Sequence, residues 1–410
     1  MTANVLGQTK ALPGVVFFFA NFLALLYVVP FVSLVMFFGV TAFLVKGKEL
    51  VEERERGAYL GFAIIVLLSL LVFYHSGAAI VSAKSPLGWY LEKSAPSLLA
   101  LLRAPHVMSS IGVSYCFLRA IYALLQPKLD LWSFTRYYFF FPTFFSGPIL
   151  RPDEYLPQIP AFRRSNIAPA LARITLGAIK VLVSQLIQGF VPLASEVTMI
   201  DQIQNPTILG AWGFAFAAGV WLFLNFSGFS DICIGFAKLF NISVPENFNN
   251  PFAARDITEF WRRWHMTLAA WLRTCIYTPV ARWLGNRLGQ QHVALHILPP
   301  FVTMMVCGLW HGAMSGYIAW GVLHGAGLVM HQGWKSTVVP RLPANLKESP
   351  IYGAMSWLTT HAYISLTWVF FFPSPTPSLK LSLLYLSRMF GFVTYEIDML
   401  ITNLAARIPL

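Results

Sequence analysis

The chain has 410 residues, of which 57% are hydrophobic, 15% aromatic and only 11% charged, with a net charge of +12. Soluble domains carry about 25% charged residues, so these proportions exclude a soluble globular protein and describe a polytopic membrane protein. In such a chain the excess of Lys and Arg reads as cytoplasmic loops that set topology and meet anionic lipid, and no nucleic-acid partner is expected.

In chain order, apolar segments fall at 13–30, 31–45, 58–75, 96–125, 167–195, 207–240, 292–309, 315–334, 354–373 and 378–394. Some are long enough to hold two helices, which predicts roughly ten to thirteen membrane segments, some of them not fully crossing. All should be helical, because unpaired backbone cannot face lipid. The first run, from near Leu12 past Phe43, is too long for a signal-peptide core and is expected to stay in the mature protein. The loops at 47–57, 158–166 and 281–291 are basic or mixed and are assigned to the cytoplasmic side. No internal repeat appears, and the chain reads as one domain, 1–410.

Two stretches depart from plain spans. YYFFFPTFFSGPILRPDEYLPQIP (137–160) is aromatic and then broken by six Pro and Gly residues, which predicts a re-entrant loop or half-helix covered by protein. The second runs from SGFSDICIG (227–235) through the turn-rich VPENFNNPF (244–252) to DITEFWRRWHMTLAAWLR (256–273). In its last part Asp256 or Thr258 can cap a helix with Glu259 in the first turn. Phe260, Trp264, Thr267 and Trp271 then recur as one helical face, with Arg262, His265 and Arg273 off it. One reading is an interfacial helix whose arginines snorkel to phosphates. The other is a wall of a polar cavity, since each charge placed centrally in a bilayer costs roughly 2.5–3.5 kcal/mol without such a role. Asp231 is a membrane acid that suits a structural pair or a catalytic one.

In CGLWHGAMSGYIAWGVLHG, His311 follows Trp310, precedes Gly312 and has no acid near it in sequence. An imidazole there can take a proton from a hydroxyl near neutral pH, which Lys and Arg cannot. It can also be a structural histidine bonded to a helix carbonyl. His324 and His331, seven apart, share a helix face that would suit a proton path. No metal site is expected, because no carboxylate lies near them in sequence. The four cysteines are scattered and predict neither disulfides nor zinc. GxSxG, P-loop, GxGxxG and HExxH are all absent. The residues alone therefore leave a transferase or a transporter.

VPENFNNPFAARDITEFWRRWHMTLAAWLR, followed by GLWHGAMSGYIAWGVLHG, resembles the membrane-bound O-acyltransferase family. The similarity is to its bacterial branch of alginate O-acetyltransferase and the D-alanyl transfer protein of teichoic acid modification. It extends over about residues 110–373, taking in FFPTFFSGPILRPDEYLPQ and SLTWVFFF. The resemblance implies an all-α ring of helices, some re-entrant, around a central funnel in the bacterial cytoplasmic (inner) membrane. It implies that an acyl group, acetyl by preference, passes from a cytoplasmic donor to an exported surface polysaccharide, with D-alanyl transfer as the alternative. His311 matches the family's catalytic histidine and His265 the second histidine of the RWH block.

On that basis Arg262, Arg263 and His265 are expected to meet the phosphate groups of the donor, an acetyl-CoA or carrier-protein thioester. Ser146, Asn249, Trp310 and Arg273 complete the expected substrate-binding set. No tightly bound cofactor is implied, and the partner implied is a periplasmic or surface acyltransferase. Two departures stand out: Asn225 and Thr274 occupy positions where the family commonly has Asp. A transporter or flippase of a small acyl-linked substrate is the rival class, and it commonly carries internal repeats.

Overall fold

The computed structural model describes residues 31–67, 113–190, 207–372 and 379–392, apart from isolated positions within them. The expected segment at 13–30, most of that at 58–75 and the first half of that at 96–125 lie outside the described residues. Among the described residues no strand occurs, and the α-helices are α1 (Phe31–Leu50), α2 (Val113–Leu125), α3 (Leu131–Tyr138), α4 (Pro152–Tyr155), α5 (Ile167–Phe190), α6 (Ile208–Leu239) and α7 (Ile257–Arg263). They continue as α8 (Met266–Leu272), α9 (Thr278–Leu288), α10 (Ala294–His311), α11 (Ser315–Thr337), α12 (Ala344–Lys347), α13 (Pro350–Phe371) and α14 (Leu379–Met389). The protein is all-α, as its composition requires.

Three stretches of helix among the described residues are long and apolar enough to cross a bilayer: Arg164–Gln188, Ile208–Leu239 and Ala294–His311. Helices α11 and α13, of 23 and 22 residues, have the length as well. The basic stretch 281–291, read from sequence as a loop, is mostly helix: α9 continues to Leu288 and Gly289, at φ +88°, ends it. Charge density does not break this helix: the Arg287 guanidinium covers the Trp283 ring at 4.8 Å, a pairing that a helix surface allows.

Two compact units divide the chain, Met1–Gly177 with Phe229–Glu246 and Ala178–Gly228 with Asn247–Leu410. In the first, Asp130 caps α3 by accepting from the Ser133 N–H at 3.0 Å. Beyond α3 the proline-rich stretch is non-helical, as expected, apart from a 3-10 turn at Phe141–Thr143 and the four residues of α4. Its backbone survives among apolar side chains because buried groups satisfy it. The Arg119 guanidinium, 1% exposed, donates to the Tyr137 and Phe140 carbonyls, and the Tyr137 hydroxyl donates to the Leu150 carbonyl at 2.9 Å. Asp231 settles into a structural pair with Arg173, 2.7 Å away, which also meets Glu246.

Replacing Arg119 by leucine should take the charged donor from two buried carbonyls, which keep only longer backbone bonds, from the Phe140 N–H at 3.3 Å and the Thr143 N–H at 3.4 Å. At about 1.5–3 kcal/mol for a lost bond to a charged group, the melting temperature in detergent should fall by several degrees. An unchanged melting curve would mean that water or another group serves those carbonyls instead.

In the second unit, α10 and α11 pack backbone to backbone. A Cβ built on Gly308 would stand 2.4 Å from the Tyr317 carbonyl oxygen, and one on Gly321 would stand 2.6 Å from that of Met304. Neither backbone can give way without parting the helices. Gly308→Val should therefore cost about 1–3 kcal/mol by overpacking and shift the end of α10 that carries His311. Melting in detergent, read beside acyl-transfer activity, checks both effects. Helix α14 closes on α6 through two bonds: Tyr385 Oη donates to the Ala211 carbonyl at 2.9 Å, and Trp212 Nε1 to that of Met389 at 3.1 Å.

Candidate active site

The sequence reads as one helix over 256–273, but the structure breaks it. Asp256 caps α7 as expected, accepting from the Glu259 N–H at 2.7 Å. After Arg263 the chain extends at Trp264, and His265 turns left-handed at φ +42° before α8 begins. A helix break frees backbone groups that must find partners. The 247–249 segment supplies them: the Met266 N–H donates to the Asn247 carbonyl at 2.8 Å, and the Asn249 N–H donates to that of Arg263 at 2.9 Å. The turn-rich loop before the helix thus runs beside its break and holds His265 in a backbone conformation that costs about 1–3 kcal/mol.

His265 is buried, 4% exposed, and its tautomer follows from its neighbours. Asn247 Oδ1 takes the Thr267 hydroxyl at 2.9 Å and the Thr267 N–H at 3.4 Å, so that atom is the amide oxygen. An amide oxygen only accepts, hence the His265 Nδ1 at 3.0 Å is the donor. In the neutral ring Nε2 then carries the lone pair.

Aromatic rings line the way from His265 to the end of α10. The His265 ring lies 4.6 Å from Phe226 and 6.4 Å from Phe248. Phe248 meets Trp264 at 5.2 Å, Trp264 meets Trp368 at 5.3 Å, and Trp368 meets Phe371 at 5.6 Å. The path ends at His311, 4.8 Å from Phe371, 4.6 Å from Trp310, 5.6 Å from Trp320 and 5.9 Å from Tyr317. Trp264 and Trp271, on the face that the interfacial-helix reading would lay against the membrane, are buried, as is Trp261, so that face packs inward.

His311 is the last residue of α10 and is partly accessible, which a group that meets substrate must be. Gly312 follows at φ +151°, a conformation that L side chains resist, and a Cβ there would press on the Tyr317 ring at 3.1 Å. That explains the Gly of WHG. His324 is fully buried, and both of its ring nitrogens are hydrogen bonded. Trp261 Nε1, only a donor, bonds its Nδ1 at 3.2 Å, so Nε2–H donates to the Thr367 hydroxyl at 3.0 Å, which donates on to the Ile364 carbonyl. His331 stands 3.5 Å from Asp256. The two histidines of the shared face are thus engaged separately, and among the described residues no cluster of three metal-ligating side chains occurs.

The other expected binding residues are placed as follows. Arg263 is held by Glu259 at 2.8 Å and by the Asn249 carbonyl at 3.2 Å, so it supports the break. Arg262 and Arg273 are exposed, and Arg273 opens a π-helical turn, Arg273–Tyr277, after α8. Asn249 contributes backbone bonds, whereas Asn247, two residues earlier and unnoticed in sequence, touches the imidazole. Ser146 belongs to the first unit, hydrogen bonded to Tyr115. Asn225, one of the two departures, donates to the Ser184 hydroxyl at 3.3 Å.

The membrane-bound O-acyltransferase family profile matches residues 14–372. Similar proteins include the probable alginate O-acetylase AlgI of Pseudomonas aeruginosa, 29% identical over 72% of this chain and 54% of that protein. The peptidoglycan O-acetyltransferase of Helicobacter pylori is 30% identical over 60% of this chain and 46% of its own. The teichoic acid D-alanyltransferase of Streptococcus thermophilus is 31% identical over 60% and 63% respectively. The chain spans about half the length of the relatives it matches.

Proposed function

From the premise that this chain belongs to the membrane-bound O-acyltransferase family, we propose that it is an acyltransferase of the bacterial inner membrane, crossing it several times. It hands an acyl group, acetyl by preference, from a cytoplasmic thioester to an exported cell-surface polysaccharide. The observation that carries this reading is His311: a partly accessible imidazole at a helix end, fixed by four aromatic rings. His311 takes the proton from the acceptor hydroxyl as its oxygen attacks the acyl carbon. The carbon–sulfur bond of the thioester breaks, and the imidazolium returns the proton to the departing thiolate. The aromatic wall excludes water that would otherwise hydrolyse the thioester. Arg262, exposed on α7, and Arg273, exposed after α8, meet phosphate groups of the donor, an acetyl-CoA or carrier-protein thioester. His265, with its lone pair on Nε2, accepts a hydrogen bond on the donor side. The acceptor is reached through a periplasmic or surface acyltransferase partner.

Similarity to a D-alanyltransferase keeps D-alanyl transfer as the second reading. Mass spectrometry of envelope polysaccharide from wild-type and deletion strains separates the two. Loss of acetyl esters is expected; loss of D-alanyl esters alone would favour the second reading. Unchanged esters together with uptake or export of an intact substrate would mean transport.

A further inference from the structure

The second unit has an open groove of about 1430 Å³ that the acyl-transfer site does not use, lined by the end of α11, α12, the first half of α13 and the segment leading into α7. Three cations face it: Arg255, Lys335 and Lys347. None of their side chains makes a hydrogen bond or ion pair among the described residues, and Lys347 is half-buried. The Arg255 guanidinium lies across α13, 3.5 Å from where a Cβ of Gly353 would stand. The lining also holds two carboxylates, Asp256, which caps α7, and Glu348, and Glu259 accepts from the Arg255 N–H at 2.8 Å, but none of them forms an ion pair with the three cations.

The groove lies at one end of two long helices. Helices α11 and α13 span about 34 and 33 Å at 1.5 Å per residue, close to the hydrocarbon thickness of a bilayer. Lys335 is in the last turn of α11 and Ser349 caps the start of α13, so a bilayer crossed by these two helices would meet the cations at its head groups. Trp334 and Trp357, both exposed, line the groove as aromatic residues do at a membrane boundary. Beside it α13 exposes an apolar stripe, which meets the groove at Met355: Ile351, Met355 and Leu358, spaced four and three apart, are 73%, 55% and 54% exposed.

We infer that this groove binds an anionic glycerophospholipid, its phosphate held by Arg255, Lys335 and Lys347 and one acyl chain lying along the α13 stripe. A soluble phosphorylated compound would use the cations but would leave the apolar stripe bare, which favours the lipid. The inference is independent of the acyl-transfer reading: the groove would hold lipid whatever the chemistry at His311.

The test uses the full chain in phosphatidylcholine nanodiscs with phosphatidylglycerol titrated in, and native mass spectrometry to count retained lipid. Each Lys or Arg near the surface strengthens anionic-lipid binding about fivefold. The triple variant Arg255→Gln, Lys335→Gln, Lys347→Gln should therefore lose affinity about 100-fold. Removing three exposed arginines elsewhere, Arg163→Gln, Arg282→Gln and Arg287→Gln, should leave the specifically retained lipid in place. Leu358→Gln with Ile351→Gln should weaken retention without touching the cations. Equal retention by the groove triple and the control triple overturns the inference. So does saturable pyrophosphate binding to the wild type in phosphatidylcholine discs where phosphatidylglycerol is not retained.

Discussion

His311→Ala should lower acyl transfer by about 10²–10⁴-fold, the usual worth of a positioned general base, while the protein accumulates in the membrane at the wild-type amount. The ring sits at the end of α10, where Phe371, Trp310, Trp320 and Tyr317 fix its plane, so the hydroxyl proton meets nitrogen in one orientation. Alanine also empties part of the aromatic cage, and a loss of packing could mimic a loss of chemistry. His311→Gln separates the two: it keeps much of the volume and the hydrogen-bonding capacity but cannot take up a proton near neutral pH. Both variants should be inactive, and the glutamine variant should melt near the wild-type temperature. Should the glutamine variant keep a tenth or more of the wild-type rate, His311 positions groups and does not move the proton.

The second large effect belongs to Asn247. Its Oδ1 serves three buried donors, the Thr267 N–H and hydroxyl and His265 Nδ1–H. Asn247→Leu removes that acceptor. Each donor left unmet costs about 1–3 kcal/mol, and the backbone of His265, held left-handed, loses part of what holds it there. Melting in detergent should fall by several degrees. The rate per folded molecule should fall at least tenfold, because the imidazole is no longer held as the Nδ1–H tautomer. A variant that melts early yet turns over normally when folded would make Asn247 a purely structural residue.

Much of this was legible in sequence where pattern and physics agree. The spans at 207–240, 292–309, 315–334 and 354–373 correspond to α6, α10, α11 and α13 within a few residues, because long apolar runs have one stable form in lipid. The cap at Asp256 was legible for the same local reason. What sequence did not show was the break at His265. Periodicity over 256–273 continues across it, since Phe260, Trp264 and Trp271 keep their spacing while the backbone between them leaves the helix. The cause is 16 to 18 residues upstream in the chain, in the backbone bonds offered by 247–249, and no local pattern encodes it. The same non-local bonding made Asn247 read as turn punctuation and Arg263 read as a ligand, when Glu259 and the Asn249 carbonyl already hold it. His324 looked much like His311 in sequence. Burial sets them apart in the structure: His324 is fully enclosed, with Trp261 and Thr367 on its two nitrogens, whereas His311 is partly accessible.

The central claim is that this chain transfers acyl groups with the His311 imidazole as the proton carrier. The most direct measurement places purified wild-type, His311→Ala and His311→Gln proteins in proteoliposomes with a labelled acetyl thioester and a hydroxyl-bearing acceptor. It follows labelled ester against time at equal protein. Label should pass to the acceptor with the wild type and fail to pass above background with either variant. Equal labelling by all three would contradict the account.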